Sequence, residues 1–312
     1  MRALACPASL KNVLAAPAAA AALAEGFRRA GVEAVELPVA DGGEGTLDAL
    51  HRALGGDWHE HEVPDAFGRS RSARWLALPD GGAAVEAAEA IPLDPERLDP
   101  LAASSRGLGE LIGAVGSPSE LIVGLGGTAN VDGGAGLREV IEELPAPTRV
   151  ACDALVPLAD AARLFSAQKG ATPELAVELE ERLEGMAELA PYARLPGAGA
   201  AGGLGAALAF LGAGLEPGAA LVLEAVGFDP SGFDLVVTGE GAVDRTTATG
   251  KAPGEIARRC ADAGVRCVVF GGRVVESPEG VEVYALSGAP DRAAQDLEEL
   301  GAGLGVLLLS GA

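Results

Sequence analysis

The stretch Phe233-Asp234-Leu235-Val236-Val237-Thr238-Gly239-Glu240-Gly241 decides how this chain is read. Its apolar run predicts a strand, and the glycines and glutamate after it predict a loop. Helix-like residues then run from Pro253 to Ala263, and Cys267-Val268-Val269-Phe270 is a second strand entering Gly271-Gly272. The same alternation opens the chain. Ala3 to Cys6 is extended, and an alanine-rich helical stretch runs from Pro17 to about Arg29 and stops at Gly31. Ala34 to Val39 then leads into Asp41-Gly42-Gly43-Glu44-Gly45, with a helical pattern over Thr46 to Leu54 behind it. Short apolar strands alternating with helices of this size predict an α/β fold built on a parallel sheet covered on both faces.

The middle of the chain differs in texture. Trp75-Leu76-Ala77-Leu78 and Ala83 to Ala90 form a pair separated by a polar turn, and Leu121 to Leu125 is a strand entering a glycine-rich loop. From Thr172 to Leu189, Leu175, Leu179, Leu183 and Met186 recur at helical spacing among glutamates, which predicts a surface amphipathic helix. A length of 312 residues suits two domains of α/β size.

Composition removes several function classes. A net charge of −22 repels a phosphate backbone, no basic patch is present, and 4% aromatic residues leave little for base stacking, so no nucleic-acid partner is expected. Pro7 and Lys11 interrupt the N-terminal apolar residues, and the longest weakly polar stretches are short or glycine-broken. The expectation is a cytoplasmic protein with no membrane partner. Cys6, Cys152, Cys260 and Cys267 lack metal-site spacing and read as buried thiols. His51, His59 and His61 lack a ligand pattern and read as surface residues.

Five loops combine glycine with charge after expected strands, where open parallel sheets place their ligands. They are Pro7 to Lys11, Asp41 to Thr46, Gly124 to Gly134, Gln168-Lys169-Gly170, and Gly239 to Asp244 continuing through Gly250-Lys251. Glycine lets backbone N–H groups approach a phosphate, and a carboxylate in the same loop suits Mg²⁺ or a substrate hydroxyl. Each loop taken alone also fits a tight turn. A Walker A loop fails, because Arg245 stands where its first glycine belongs and Ala252 where its hydroxyl belongs. Gly124-x-Gly126-x-x-Ala129 fits a dinucleotide fingerprint weakly, since Asp132 and two glycines follow where a helix should begin.

Taken together, the motifs resemble the bacterial glycerate kinases, in that family's order and across essentially the whole chain. They are Pro-x-Ser-x-Lys at 7–11, Ala-Asp-Gly-Gly-Glu-Gly-Thr at 40–46, Gly-Leu-Gly-Gly-Thr-Ala then Asp-Gly-Gly-Ala-Gly at 124–136, Gln-Lys-Gly-Ala-Thr at 168–172, Gly-Ala-Gly-Ala-Ala-Gly-Gly at 197–203, and Thr-Gly-Glu-Gly then Gly-Lys-Ala-Pro at 238–253. The resemblance implies ATP-dependent, Mg²⁺-dependent phosphorylation of D-glycerate to 2-phosphoglycerate, with the 3-phosphate as the variant product, in a monomer or homodimer. It also implies two unlike α/β domains. One is flavodoxin-like and discontinuous, from residues 1–62 plus 231–312, and the other is inserted at 63–230.

On the same resemblance, Lys11, Asp132, Asp244 and Lys251 are the catalytic candidates, with Asp132 and Asp244 as base or metal ligands. Gly126, Gly127, Thr128, Gly133, Gly134, Gly239, Glu240 and Gly241 would bind the nucleotide, and Ser9, Asp41, Gly42, Gly43, Glu44 and Lys169 the acceptor. The chain departs from the pattern at several positions. Ala8 replaces an aspartate, Asn130-Val131 a Thr-Asn pair, Val156 an asparagine, Ala242 an arginine and Thr246 a glutamine, and segments after Leu137 and Leu158 are shortened. A relative that binds nucleotide or a hydroxy acid without catalysis is the alternative these departures leave open.

Overall fold

The computed structural model describes residues 1–244, 247, 250–277 and 280–311. In chain order the elements are β1 (Arg2–Ala5), α1 (Ala16–Arg29), β2 (Glu33–Glu36), α2 (Thr46–Leu54), β3 (Asp57–Pro64), β4 (Ser70–Ala77), β5 (Ala83–Glu86), α3 (Ala87–Ala90), α4 (Arg106–Ala114) and β6 (Leu121–Gly124). They continue as α5 (Ala135–Arg138), β7 (Thr148–Cys152), α6 (Ala161–Phe165), α7 (Pro173–Glu184), α8 (Ala200–Phe210), β8 (Gly214–Pro217) and α9 (Gly218–Ala225). The last are β9 (Leu235–Val243), α10 (Ala252–Ala263), β10 (Arg266–Val274), β11 (Glu282–Ala285) and α11 (Ala293–Ser310). Two compact units result. The first takes Met1–Asp41, Asp48–Ala53 and the chain from Val222 onward; the second takes Gly42–Leu47 and Leu54–Leu221.

The first unit holds a five-stranded sheet in the order β11-β10-β9-β1-β2, parallel throughout. Buried apolar runs such as Leu235-Val236-Val237 suit strands covered on both faces. On one side, Leu23 and Phe27 of α1 and Leu297 of α11 join Val237 and Phe270 in the core. The alanine-rich α1 lets α11 approach closely. A Cβ on Gly26 would lie 2.1 Å from the Glu298 carbonyl oxygen, and one on Gly301 2.3 Å from that of Leu23.

The second unit has a mixed six-stranded sheet, β3-β4-β5-β6-β7-β8. β3, β4 and β5 pair antiparallel, and β5 through β8 pair parallel. The pair expected around residues 75 and 83 is β4 and β5, with α3 following directly. Residue 62, where the sequence suggests a domain break, lies inside β3. The amphipathic stretch becomes α7, capped by the Thr172 hydroxyl, which accepts from the Leu175 N–H at 3.3 Å. Leu179 and Leu183 are its buried face.

Two details correct the sequence reading. β9 does not end at Thr238 but continues through Gly239-Glu240-Gly241 to Val243, paired with β10. The glycines allow this close pairing: a Cβ on Gly239 would lie 2.3 Å from the Phe270 carbonyl oxygen, and one on Gly272 2.8 Å from that of Gly241. Val131, a departure from the family pattern, is fully buried in a core cluster with Leu158, Leu179 and Leu183. An apolar side chain there is packing.

Cys6, Cys152 and Cys260 are buried and Cys267 half-buried, all as free thiols. Burial, with the charge of Asp153 adding to it, pushes the Cys152 thiol up to about 12, so it stays protonated near neutrality. Among the described residues no helix is long and apolar enough to cross a membrane.

Candidate active site

In the first unit the candidate residues gather at the carboxyl ends of the parallel strands. The segment after β1 is held to β9 by the Ala8 N–H, which donates to the Gly239 carbonyl at 2.9 Å. It then turns tightly, with Leu10 and Leu14 bridged, and leaves Lys11 exposed. Ser9, Lys11, Glu240, Gly241 and Lys251 line one cleft of about 720 Å³.

Glu240 organises this cleft. Its carboxylate accepts from the Thr247 hydroxyl at 2.7 Å and pairs with the Lys251 ammonium at 3.0 Å. Burial raises the Glu240 pKa above the ordinary carboxyl value; Thr247 and Lys251 oppose the rise, and the nearby charge of Asp41 adds to it. Lys251 occupies the N-cap position of α10 in extended conformation. Asp244 opens a turn at the end of β9. Its N–H donates to the Thr247 hydroxyl at 3.0 Å, and its carbonyl accepts from the Thr247 N–H at 3.1 Å. Thr246 and its departure from the pattern lie outside the described residues.

The second unit holds the remaining candidates. Gly42-Gly43 packs backbone to backbone against Gly126. The Gly126 N–H donates to the Gly42 carbonyl at 3.1 Å, and a Cβ on Gly126 would lie 2.4 Å from the Gly43 Cα. Gly42 itself has φ +92°, and a Cβ there would lie 2.5 Å from the Ala151 carbonyl oxygen. Glu86, buried at the end of β5, accepts the N–H groups of Gly45 and Leu47 at 3.1–3.2 Å and fixes this loop. Glu44 projects outward, exposed. Gly127 has φ +76°, and the hydroxyl of buried Thr128 has no partner among the described residues.

Asp132 is 3% exposed, and both its oxygens are occupied. One accepts from the Asn130 amide at 2.9 Å and the Gly134 N–H at 3.1 Å; the other accepts from the Ser105 N–H and hydroxyl at 2.8 and 2.7 Å and the Gly136 N–H at 3.1 Å. Such a saturated carboxylate has no lone pair directed at a metal or a proton. Gly133 and Gly134 take left-handed backbone, and a Cβ on Gly134 would lie 2.3 Å from the Ala207 Cβ.

Lys169 is as buried, at 3% exposed, and donates to the Asn130 carbonyl at 2.7 Å. Burial lowers its pKa to about 8, against the pull of Asp153 and Asp132. The sign follows from proton binding. Below about 8 the ammonium is charged in both folded and unfolded chains, and the full desolvation cost is present. Above it the folded chain sheds its proton first, so stability climbs until the ordinary value of 10.5. Lys169→Met is therefore expected to raise the melting temperature at pH 7, with the advantage shrinking between pH 8 and 10.5, as calorimetry across pH will show.

Sequence reading missed Glu86, Ser105, Asp153 and Thr247. Glu86 had a signal, a lone acid ending the apolar run Ala83-Ala84-Val85. Asp153 stands where a Cβ on Gly126 would come within 3.1 Å of its carboxylate, a proximity only the fold creates.

One count links the two sets. The chain has three lysines against twenty arginines, and Lys11, Lys169 and Lys251 all fall in the candidate segments. Arginine does every other cationic task here. Lys169 departs from the expected placement after a strand, since its segment follows α6. Two α/β units with lysines and carboxylates in glycine-containing segments, the others beyond parallel strands, make up a small-molecule kinase. The glycerate kinase family model matches residues 3–142 and 139–299. The chain belongs to the glycerate kinase family. It is 36% identical to glycerate 2-kinase of Escherichia coli (strain K12), over 81% of this chain and 80% of that one. It is 34% identical to a glycerate kinase of Bacillus subtilis (strain 168), over 92% and 88% respectively. A crystal structure of a Salmonella typhimurium LT2 protein assigned as glycerate kinase 2 superposes with a TM-score of 0.83 at 30% identity, covering 100% of this chain and 99% of that one.

Proposed function

We propose that this chain transfers the γ-phosphoryl group of ATP to D-glycerate, giving 2-phosphoglycerate and ADP. The observation that carries the reading is the confinement of lysine to three candidate segments in a chain that otherwise uses arginine. Lysine offers a compact charge with rotatable donors, suited to phosphate oxygens and a carboxylate. The 2-phosphate is favoured by the name of the Escherichia coli relative.

The cleft residues fit a nucleotide: Lys11, Lys251 and Ser9 supply cations and a hydroxyl, and Gly241 lets the chain approach. Among the described residues no cluster of three or more His, Cys, Asp or Glu could hold a metal ion. Mg²⁺ arriving on nucleotide phosphates asks a protein for only one or two carboxylates. When bound, MgATP supplies the phosphoryl group and partly neutralises the charge that develops on it. Lys11 and Lys251 bind phosphate oxygens, and Glu240 and Thr247 hold the Lys251 ammonium in position. Asp244 takes the hydroxyl proton or a place beside the ion. Asp132 holds its loop, and Lys169 keeps a positive charge under that loop. As the glycerate oxygen bonds to the γ-phosphorus, the bond to the bridging oxygen breaks, ADP leaves and the hydroxyl proton is released.

The test is phosphorus NMR of a reaction containing D-glycerate and MgATP. A phosphomonoester coupled to the single proton on carbon 2 supports the reading. Coupling to the methylene protons would move the product to the 3-phosphate, and no ester at all would reduce the protein to a binding role.

A further inference from the structure

The cleft of the first unit carries one cation outside the lysine set. Arg273 on β10 stands in register with Ala242 on β9, and both line the cleft with Ser9, Lys11 and Lys251. Elsewhere the arginines of this acidic chain are commonly paired, as Arg74 is with Glu89, Arg149 with Glu216 and Arg266 with Glu282. Arg273 has no carboxylate partner among the described residues, and neither has Lys11. The two carboxylates lining the cleft are engaged by other groups. Glu240 is held by Thr247 and Lys251, and Asp296 accepts from Ser287 and Arg292.

Two uncompensated cations on one cleft of a molecule with net charge −22 mark a place where an anion is drawn in and held. The planar fork of a guanidinium matches phosphate oxygens in pairs. Leu10, Val13, Val274 and Leu286 supply an apolar wall to the same cleft, which has no use for a three-carbon acid. Its volume of about 720 Å³ is in the range that holds a drug-sized ligand. Position 242, where the family pattern carries arginine, is alanine here, and its small side chain leaves room beside Arg273.

Resting on the kinase function proposed above, we propose that Arg273 binds phosphate oxygens of the nucleotide, as the third cation of a site that includes Lys11 and Lys251. MgATP affinity is measured calorimetrically for the wild-type protein, Arg273→Gln and Arg273→Lys, with Arg194→Gln as a control for loss of one exposed charge elsewhere. Arg273→Gln weakens MgATP binding about tenfold to a hundredfold. Lysine restores part of it, the control binds as wild type, and the melting temperature and the KM for D-glycerate stay unchanged. If the wild type binds MgATP and Arg273→Gln binds it equally well, the assignment is overturned while the kinase function stands. If the wild type binds no nucleotide, both are overturned.

Discussion

Replacing Lys251 with alanine is expected to lower glycerate-dependent ADP release by about a hundredfold to a thousandfold, the loss typical when one charge-stabilising group leaves a preorganised site. The ammonium is held in place before substrate arrives: its side chain is 28% exposed and it pairs with Glu240, 13% exposed, at 3.0 Å. Thr247 anchors the other carboxylate oxygen, so the pair cannot swing freely. Arginine at 251 is not expected to rescue activity, because a planar fork cannot replace a compact ammonium in a fitted site.

The same variant carries a pH signature. Glu240 has its pKa raised by burial, so the folded chain binds this proton more tightly than the unfolded chain does. Its contribution to stability is therefore most favourable below the ordinary value of 4.5 and is lost as pH rises through the raised value. Lys251 offsets part of that loss. Without it the carboxylate is buried and unpaired, so Lys251→Ala should match wild type in melting temperature near pH 4 and fall below it near pH 8. A deficit that grows toward low pH would show that the pair has been misjudged.

Asp132→Ala should act mainly on stability. The carboxylate receives five donors, and removing it strands buried N–H and hydroxyl groups of Ser105, Asn130, Gly134 and Gly136. A loss on the order of 4 kcal/mol follows from breaking a buried hydrogen-bonded charge. In a protein of this size that lowers the melting temperature by on the order of 10 °C. A base or metal ligand would behave in the opposite way, leaving stability intact or improved while turnover disappears. Thermal unfolding of Asp132→Ala and Asp132→Asn decides between them, and an unchanged melting temperature with no turnover would restore the catalytic role.

The contrast between Asp132 and Lys251 marks what was legible in the sequence. β9 through Thr238, β10 through Phe270, and α1 and α10 could be read because apolar runs end at glycine or proline. The continuation of β9 through Gly239-Glu240-Gly241 could not, since glycine looks like a loop until a neighbouring strand explains it. Asp132 sits among glycines as a metal ligand would, yet one of its main donors, Ser105, lies 27 residues away on the chain. Spacing along the chain cannot show that. β3 was missed because Asp57, His59, Glu60, His61 and Glu62 are exposed to varying degrees, and only Val63 gives its buried face away. Lys11, Lys169 and Lys251 stand in the quoted motifs, and their rarity among twenty arginines singles them out independently.

The most direct measurement is the steady-state rate of ADP release from MgATP by the purified wild-type protein, with and without D-glycerate, beside Lys251→Ala. The account predicts release that depends on D-glycerate, saturates with it, and falls by at least about a hundredfold in the variant. Release that ignores D-glycerate, or a variant as active as the wild type, would contradict it.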